Sequence, residues 1–291
     1  MKGLVIENIS NAYKIKTEKN IYEATARGKF KNNNICPVVG DVVDFGVIDE
    51  KKGVAVIENV HNRNVYIKRP KISNLTQIVL IISVASPKPD LLMLDKQLVF
   101  AEFLKIKPII VINKIDLDTK NESEIIKNIY KNIGYTLIST NAKTGQGIEE
   151  LEKKLKNNIS AFSGNSGVGK SSLINCLFKD NITTEGDISI KNKKGKNTTT
   201  STKLYEINNE SFIADTPGFS TFSIEEINSK ELYKYFVEFK KYNCEYVGCT
   251  HVREGECKIK EAVEKGEISK IRYDNYCKIY LELKDKEEHK W

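Results

Sequence analysis

Hydrophobic and polar positions divide the chain into three regions of different pattern. Up to about residue 65 the apolar residues come in short alternating or paired runs. These are Leu4-Val5-Ile6, Ala12-Tyr13-Lys14-Ile15-Lys16, Tyr22-Glu23-Ala24-Thr25-Ala26, Val42-Val43-Asp44-Phe45 and Val54-Ala55-Val56-Ile57. A period near two predicts strands, and the polar stretches Lys31-Asn32-Asn33-Asn34 and Asp49-Glu50-Lys51-Lys52-Gly53 predict turns between them. Five short strands in so few residues predict a small closed barrel. An OB-fold leads, and an SH3-like barrel fits the same periodicity.

From about 70 to 222 the apolar runs become continuous: Ile78-Val79-Leu80-Ile81-Ile82, Ile109-Ile110-Val111-Ile112, Thr136-Leu137-Ile138, Ala161-Phe162-Ser163 and Ser211-Phe212-Ile213-Ala214. Such runs suit strands covered on both faces. Helical periods near 92–105, 121–132, 147–158 and 170–178 separate them, which predicts a doubly wound α/β domain. From about 223 the chain reads as helical, with a cysteine-rich loop inserted. Ile271, Tyr276, Ile279, Tyr280 and Leu283 recur at roughly helical spacing. We expect this last helix to pack on its own domain. The expected divisions are 1–66, 67–222 and 223–291.

A length of 291 residues suits two or three domains. The absence of an apolar run of about 18 residues argues against a membrane partner, and the charged, alternating N-terminus does not read as a signal peptide. A cytoplasmic location and a monomer are the default expectations. The net charge of +7 fits either a polyanionic partner or a merely lysine-rich surface. Three of the six cysteines crowd beside a histidine, which in that compartment favours a metal over disulfides. Cys36, Cys176 and Cys277 are expected to fill apolar space, and His61 and His289 to be surface or packing residues.

Gly164-Asn165-Ser166-Gly167-Val168-Gly169-Lys170-Ser171, followed by Ser172, has the spacing of a phosphate-binding loop between a strand and a helix. Its glycines let backbone N–H groups turn toward phosphates, Lys170 is expected to reach the β- and γ-phosphates, and the Ser171 hydroxyl to bind Mg²⁺. The helix also directs its positive end at the anion. Asp215-Thr216-Pro217-Gly218 closes a strand. There Asp215 is expected to hold Mg²⁺ through water and the Gly218 N–H to meet the γ-phosphate.

Asn113-Lys114-Ile115-Asp116 closes another strand. The Asp116 carboxylate can accept from guanine N1–H and the 2-amino group together, a donor pair that adenine lacks. Asn113 is expected to brace the loop and the Lys114 stem to cover the base. In Asn141-Ala142-Lys143-Thr144-Gly145, Ala142 is expected to offer its N–H to guanine O6, beside Lys143. The expected ligand is therefore GTP with Mg²⁺. The order is inverted, because the guanine motif precedes the phosphate loop, so the chain enters this fold at a different point from an ordinary G protein.

The basic, polar segment 191–200 lies where a switch loop belongs. Thr199, with Thr198 as the alternative, is expected to coordinate Mg²⁺ when the γ-phosphate is present. Its lysines fit contact with RNA phosphate or plain solvation. After Gly218 comes Phe219 rather than a glutamine able to orient water, so intrinsic hydrolysis is expected to be slow and completed by another group. Cys244, Cys249, His251 and Cys257 supply three thiolates and one imidazole within 14 residues, a closed structural set for Zn²⁺.

With these residues in view the chain resembles the RsgA family of ribosome small-subunit-dependent, circularly permuted GTPases. The resemblance rests on the permuted motifs, the Cys-Cys-His-Cys spacing, Arg27-Gly28-Lys29, Val39-Gly40-Asp41, Lys68-Arg69-Pro70 and Leu94-Asp95-Lys96. It implies an N-terminal OB-fold, a central permuted GTPase domain and a C-terminal, mainly helical zinc-binding domain. It also implies late maturation of the small ribosomal subunit as the role, with rRNA contacts and hydrolysis stimulated by that subunit. Two positions depart from the family pattern: Asn197 stands where a histidine is expected before the threonines, and Asn141 where a serine usually precedes Ala142. Two other classes remain: a nucleotide-gated RNA-binding module with a non-ribosomal target, and an enzyme that phosphorylates a small molecule with GTP.

Overall fold

The N-terminal runs form strands, and burial follows the period of two. The strands are β1 (Lys2–Ile9), β2 (Ala12–Lys16), β3 (Ile21–Ala26), β4 (Val42–Asp49) and β5 (Val54–Val60); β2 to β5 send alternate side chains inward, whereas β1 buries Val5, Ile6 and Glu7 in succession. Val5, Tyr13, Ile15, Tyr22, Ala24, Val43, Phe45, Ala55 and Ile57 form one apolar cluster. β1 pairs antiparallel with β2 and β4, β2 with β3, and β4 with β5, while β3 and β5 run parallel. The ring order 1-2-3-5-4 closes the sheet on itself. Of the two barrels that periodicity allows, this connectivity is that of the OB-fold.

The computed structural model describes residues 1–28, 30, 36–178, 202–208, 210–215 and 224–289, with no side-chain description for Asp215. The expected turn at 31–34, Lys29, the expected switch loop 191–200 with Asn197, Thr198 and Thr199, and Thr216 to Phe222 with Gly218 lie outside the described residues.

Beyond the barrel come β6 (Tyr66–Lys68), β7 (Lys71–Ser73), β8 (Gln77–Ser83), α1 (Leu91–Leu104), β9 (Lys107–Asn113), α2 (Glu122–Lys131), β10 (Thr136–Thr140), α3 (Ile148–Leu155), β11 (Ile159–Ser163) and α4 (Lys170–Leu177). β12 (Lys203–Asn208), β13 (Ser211–Asp215), α5 (Lys258–Glu264) and α6 (Lys270–Glu288) follow, with short 3-10 helices at Ser229–Tyr235 and Val237–Lys241. The backbone divides into two compact units. One holds 1–78, 149–163 and 171–220, and the other 79–148, 164–170 and 221–291.

In the first unit the barrel is joined to the α/β strands by β1 itself, which pairs antiparallel with β12 at Glu7 and Lys203. Glu7 fixes that edge by ion pairs to Lys14 and Lys203 at 2.9 and 3.2 Å. β12 then pairs antiparallel with β13, and β13 parallel with β11. The fully buried Asp41 organises the far side of the barrel. Its carboxylate accepts from Arg63 Nε and Nη2, both at 2.8 Å, from Ser73 Oγ at 2.6 Å and from the Val38 N–H at 2.7 Å. Four donors leave this buried carboxylate fully hydrogen-bonded rather than stranded. It also explains why Val39-Gly40-Asp41 precedes β4 and why the β6–β7 hairpin is held there. Cys36 is exposed, which corrects the expectation that it fills apolar space.

In the second unit residues 79–83 of β8 and 109–113 of β9 are buried throughout, as two-sided coverage requires. α1 carries a buried run from Leu94 to Ala101 broken only by Lys96. α6 buries Arg272, Asn275, Tyr276, Ile279, Tyr280 and Leu283 at helical spacing and packs on its own unit. The expected stripe started one residue early: Ile271 is 42% exposed, whereas Arg272 is 1% exposed. The reason is a charge network. Arg272 donates to Asp95 Oδ1 at 2.5 Å and, from two nitrogens, to both oxygens of Glu238 at 2.8 and 2.9 Å. Asn275 Nδ2 and the Tyr130 hydroxyl also donate to Asp95, at 2.7 and 2.8 Å. One cation between two carboxylates leaves an excess negative charge, and burial, outweighing Arg272, raises the Asp95 carboxyl above its ordinary range.

Candidate nucleotide and metal sites

β11 delivers the chain into the loop 164–169, and α4 begins at Lys170. Close approach, not only turn geometry, demands two of its glycines. A Cβ on Gly164 would strike the Ile81 carbonyl, and one on Gly169 would strike Asn113 Nδ2. Both have positive φ, 149° and 99°, a region costly for other residues. The Lys170 ammonium curls back onto the Gly164 and Asn165 carbonyls at 2.5 and 3.1 Å. Burial lowers its pKa, so an anion in the loop would stabilise its charged form. Ser171 and Ser172 follow in the first turn of α4, both exposed. Ser166 and Gly167 are exposed and Val168 is buried.

The guanine motif and the phosphate loop are locked together. Asn113, 1% exposed, donates from Nδ2 to the Val168 carbonyl at 2.9 Å. Its Oδ1 accepts from the buried Thr140 hydroxyl at 3.0 Å. One amide thus joins the ends of β9 and β10 to the loop 164–169. Lys114 takes a left-handed conformation, φ 62°, and its ammonium reaches the Ser86 carbonyl. Asp116 lies in the 3-10 turn Ile115–Leu117, with Lys143 Nζ 3.8 Å from its carboxylate. Asn141, the departure noted above, caps its own turn: its Oδ1 accepts from the Lys143 N–H at 2.9 Å. The turn closes through Asn141 N–H to Gln146 O at 3.0 Å and Gly145 N–H to Asn141 O at 2.9 Å, with Ala142 at its start. Asp215 ends β13, paired in register with Lys203.

Sequence reasoning missed a set of supports between β8 and α1. Besides Ser86, Pro87 sits behind Gly167, and Asp90 accepts from Asn165 Nδ2 at 3.3 Å. Pro87, Lys88 and Pro89 break any periodicity, so the stretch reads only as a loop. The one available signal was Asp90, an acceptor placed just ahead of a helix.

The four metal candidates converge. Cys244 Sγ, His251 Nδ1 and Cys257 Sγ lie 3.4, 3.8 and 3.4 Å apart pairwise, and the donor atoms of all four residues are within 4.8 Å of one another. A tetrahedral Zn²⁺ with bonds of about 2.3 Å to sulfur and about 2.0–2.1 Å to nitrogen requires edges of about 3.8 Å (S···S) and about 3.6 Å (S···N). The donor set and its edges fit that ion. Cys249, His251 and Cys257 are buried, and the set leaves no protein-free position for chemistry at the metal. Tyr273 and Tyr276 of α6 donate to the His251 and Thr250 carbonyls at 2.8 and 2.5 Å.

Glu254 ties the loop from inside. It accepts from the Thr250 N–H and hydroxyl at 2.9 Å and from the Val252 and Arg253 N–H groups at 3.2 Å. Partial burial opposes its ionisation, but these donors prevail and bring its carboxyl down to about 2. Glu254→Ala is therefore expected to weaken metal binding about 10–100-fold, the usual effect of losing an outer support. Competition with a chromogenic chelator measures this, and unchanged affinity would remove Glu254 from the metal's support.

A family model described as the RsgA GTPase matches residues 60–225, and one described as the RsgA N-terminal domain matches 2–55. The chain is 39% identical to "Small ribosomal subunit biogenesis GTPase RsgA" of Caldanaerobacter subterraneus subsp. tengcongensis, covering 100% of this chain and 98% of that one. It is similar to the crystal structure of YjeQ from Thermotoga maritima, with a TM-score of 0.85, 37% identity, and 97% and 98% of the two chains covered. It is also similar to YloQ, a circularly permuted GTPase, with a TM-score of 0.82, 29% identity, and 98% and 95% covered. The inverted motif order, the five-stranded barrel and this likeness along the whole length agree: the chain belongs to the RsgA GTPase family.

Proposed function

We propose that this chain hydrolyses GTP during biogenesis of the small ribosomal subunit, and that the subunit stimulates the reaction. The observation that carries the reading is the Asn113 bridge, which fixes a guanine-type loop and a phosphate loop in one rigid arrangement. The names of the relatives supply the ribosomal context. In this reading Asp116 pairs with the guanine edge, and Ala142 offers an N–H to O6, flanked by Lys143. The loop from Gly164 to Ser172 wraps the phosphates. Lys170 neutralises charge developing on the β- and γ-oxygens, and Ser171, Thr199 and Asp215 hold Mg²⁺, which arrives with the nucleotide. Gly218 senses the γ-phosphate.

The barrel 1–66 and the region from 223 grip ribosomal RNA while the GTPase part 67–222 turns over, with Zn²⁺ on Cys244, Cys249, His251 and Cys257 as a structural ion. GTP orders 191–200 and 215–222 and favours the bound state, and hydrolysis releases the protein. Since Asn197 replaces the histidine and Phe219 the glutamine, the protein alone turns over slowly in the cytoplasm until the subunit completes the site.

The test compares GTP hydrolysis by the protein alone, with small subunits, with large subunits and with bulk RNA. Stimulation of at least about tenfold by small subunits only is expected, well short of the largest partner effects known for GTPases. Equal stimulation by any RNA would replace this reading with a generic RNA-binding one.

A further inference from the structure

Three groups of contacts in the second unit form a continuous series. At one end Asp90 makes two hydrogen bonds with different jobs. Its Oδ1 accepts from the Met93 N–H at 2.9 Å and so caps α1. Its Oδ2 accepts from Asn165 in the phosphate loop at 3.3 Å. The same carboxylate therefore sets the start of the helix and the position of a phosphate-loop side chain. In the middle, α1 is fixed to α6 at two points: Asp95 to Arg272 and Asn275, and Lys96 to Glu282. At the other end, Tyr273 and Tyr276 of α6 hold the His251 and Thr250 carbonyls beside the Cys–His cluster.

The spacing on α6 makes this one rigid relay. Arg272 and Asn275 are three residues apart, as are Tyr273 and Tyr276, so each pair occupies one strip of the helix. The first strip meets α1 and the second meets the metal loop. α1 cannot shift along its axis without separating the buried Asp95–Arg272 pair, and α6 cannot shift without dragging the carbonyls of residues 250 and 251.

We propose that Asp90 is a positioning residue for the phosphate loop, acting through Asn165, and that α1 and the Asp95–Arg272 pair couple nucleotide occupancy to the order of α6 at the Cys–His cluster. This rests on the reading of 164–171 as a nucleotide site. It adds a route that is separate from the segment after Asp215. A bound phosphate fixes the loop 164–170, the fixed Asn165 holds Asp90, and Asp90 holds the first turn of α1. Coupling of this kind is a difference in free energy between two states of one connected element.

The experiment is hydrogen–deuterium exchange on the full, metal-loaded chain, nucleotide-free and saturated with a non-hydrolysable GTP analogue. Wild type is compared with Asp90→Ser and Asn165→Ala. Serine retains a helix-capping hydroxyl but is too short to reach Asn165, and Asn165→Ala leaves α1 untouched. In wild type the nucleotide is expected to slow exchange both at 164–170 and, at least threefold, at 270–288. In each variant protection at 164–170 persists at saturation, while the slowing at 270–288 disappears. A purely structural role for Asp90 would change exchange equally in both nucleotide states. If variants and wild type show the same nucleotide-dependent slowing at 270–288, or if wild type shows protection at 164–170 alone, the coupling is overturned. Absence of protection even at 164–170 in wild type would overturn the nucleotide site itself, and the coupling with it.

Discussion

Arg272→Ala is expected to destabilise the chain by about 3–5 kcal/mol, the range for breaking a buried ion pair from one side. The guanidinium is 1% exposed and lies 4.5 Å from the centre of the Phe236 ring, so it is held inside the fold away from bulk water. Its removal leaves Asp95, also fully buried, facing Glu238 with the charge between them gone. It also opens a space the size of a large side chain, which adds a packing cost. Contrast the exposed pair Lys153–Glu149 on α3, whose loss should leave stability essentially unchanged, because solvent screens it. Urea denaturation of the metal-loaded protein measures both.

The origin of the effect is separable from packing. The triple replacement Arg272→Met, Asp95→Asn and Glu238→Gln removes every charge while keeping similar volumes. It should recover most of the loss, because neutralising a whole buried network is often close to neutral. If Arg272→Ala alone costs no more than about 1 kcal/mol, typical of an ordinary substitution, the network is not holding α1 to α6.

What could be read from the sequence, and what could not, divides along the range of the interactions. The barrel strands were legible because Tyr13, Ile15, Tyr22 and Ala24 alternate with polar neighbours, a local signal. Their closure into a barrel was legible too, with an OB-fold leading, but periodicity did not separate it from an SH3-like barrel, since that choice depends on the parallel pairing of Glu23 with Val54, far apart in sequence. β12 was missed because Leu204 and Ile207 come directly after a long polar stretch and pair with partners outside their own segment. The spacing of 164–171, of 113–116 and of the four Cys and His residues stood out in the sequence, since backbone geometry and donor chemistry restrict the residue types allowed at each place, and the four metal candidates do converge. Asn113 was expected to brace its own loop, but its partner Val168 lies 55 residues away. The buried Arg272 was least legible of all. Periodicity assigns an isoleucine to the core before an arginine, and Glu238 and Asp95, 34 and 177 residues earlier, reverse that assignment.

Asp116→Asn is expected to lower GTP affinity by about 10²–10⁴-fold, since two hydrogen bonds to a charged acceptor are worth about 1.5–3 kcal/mol each. In the proposed site the carboxylate accepts two parallel donors from guanine, N1–H and the 2-amino group. An asparagine in its place presents one acceptor and one donor, so its NH₂ would face the 2-amino group with nothing to bond. Xanthine carries an oxygen at that position, and there the NH₂ finds an acceptor. The variant should therefore reverse the ranking and bind xanthosine triphosphate better than GTP.

The substitution should leave the fold intact, because the Asp116 side chain is 29% exposed and the brace between the two loops is made by Asn113, not by Asp116. Loss of GTP affinity without gain for xanthosine triphosphate would then point to a displaced loop rather than to base recognition. Unchanged GTP affinity would mean that the 113–116 segment does not read the base at all. Competition against a fluorescent guanine nucleotide, run with both triphosphates and Mg²⁺, separates these outcomes.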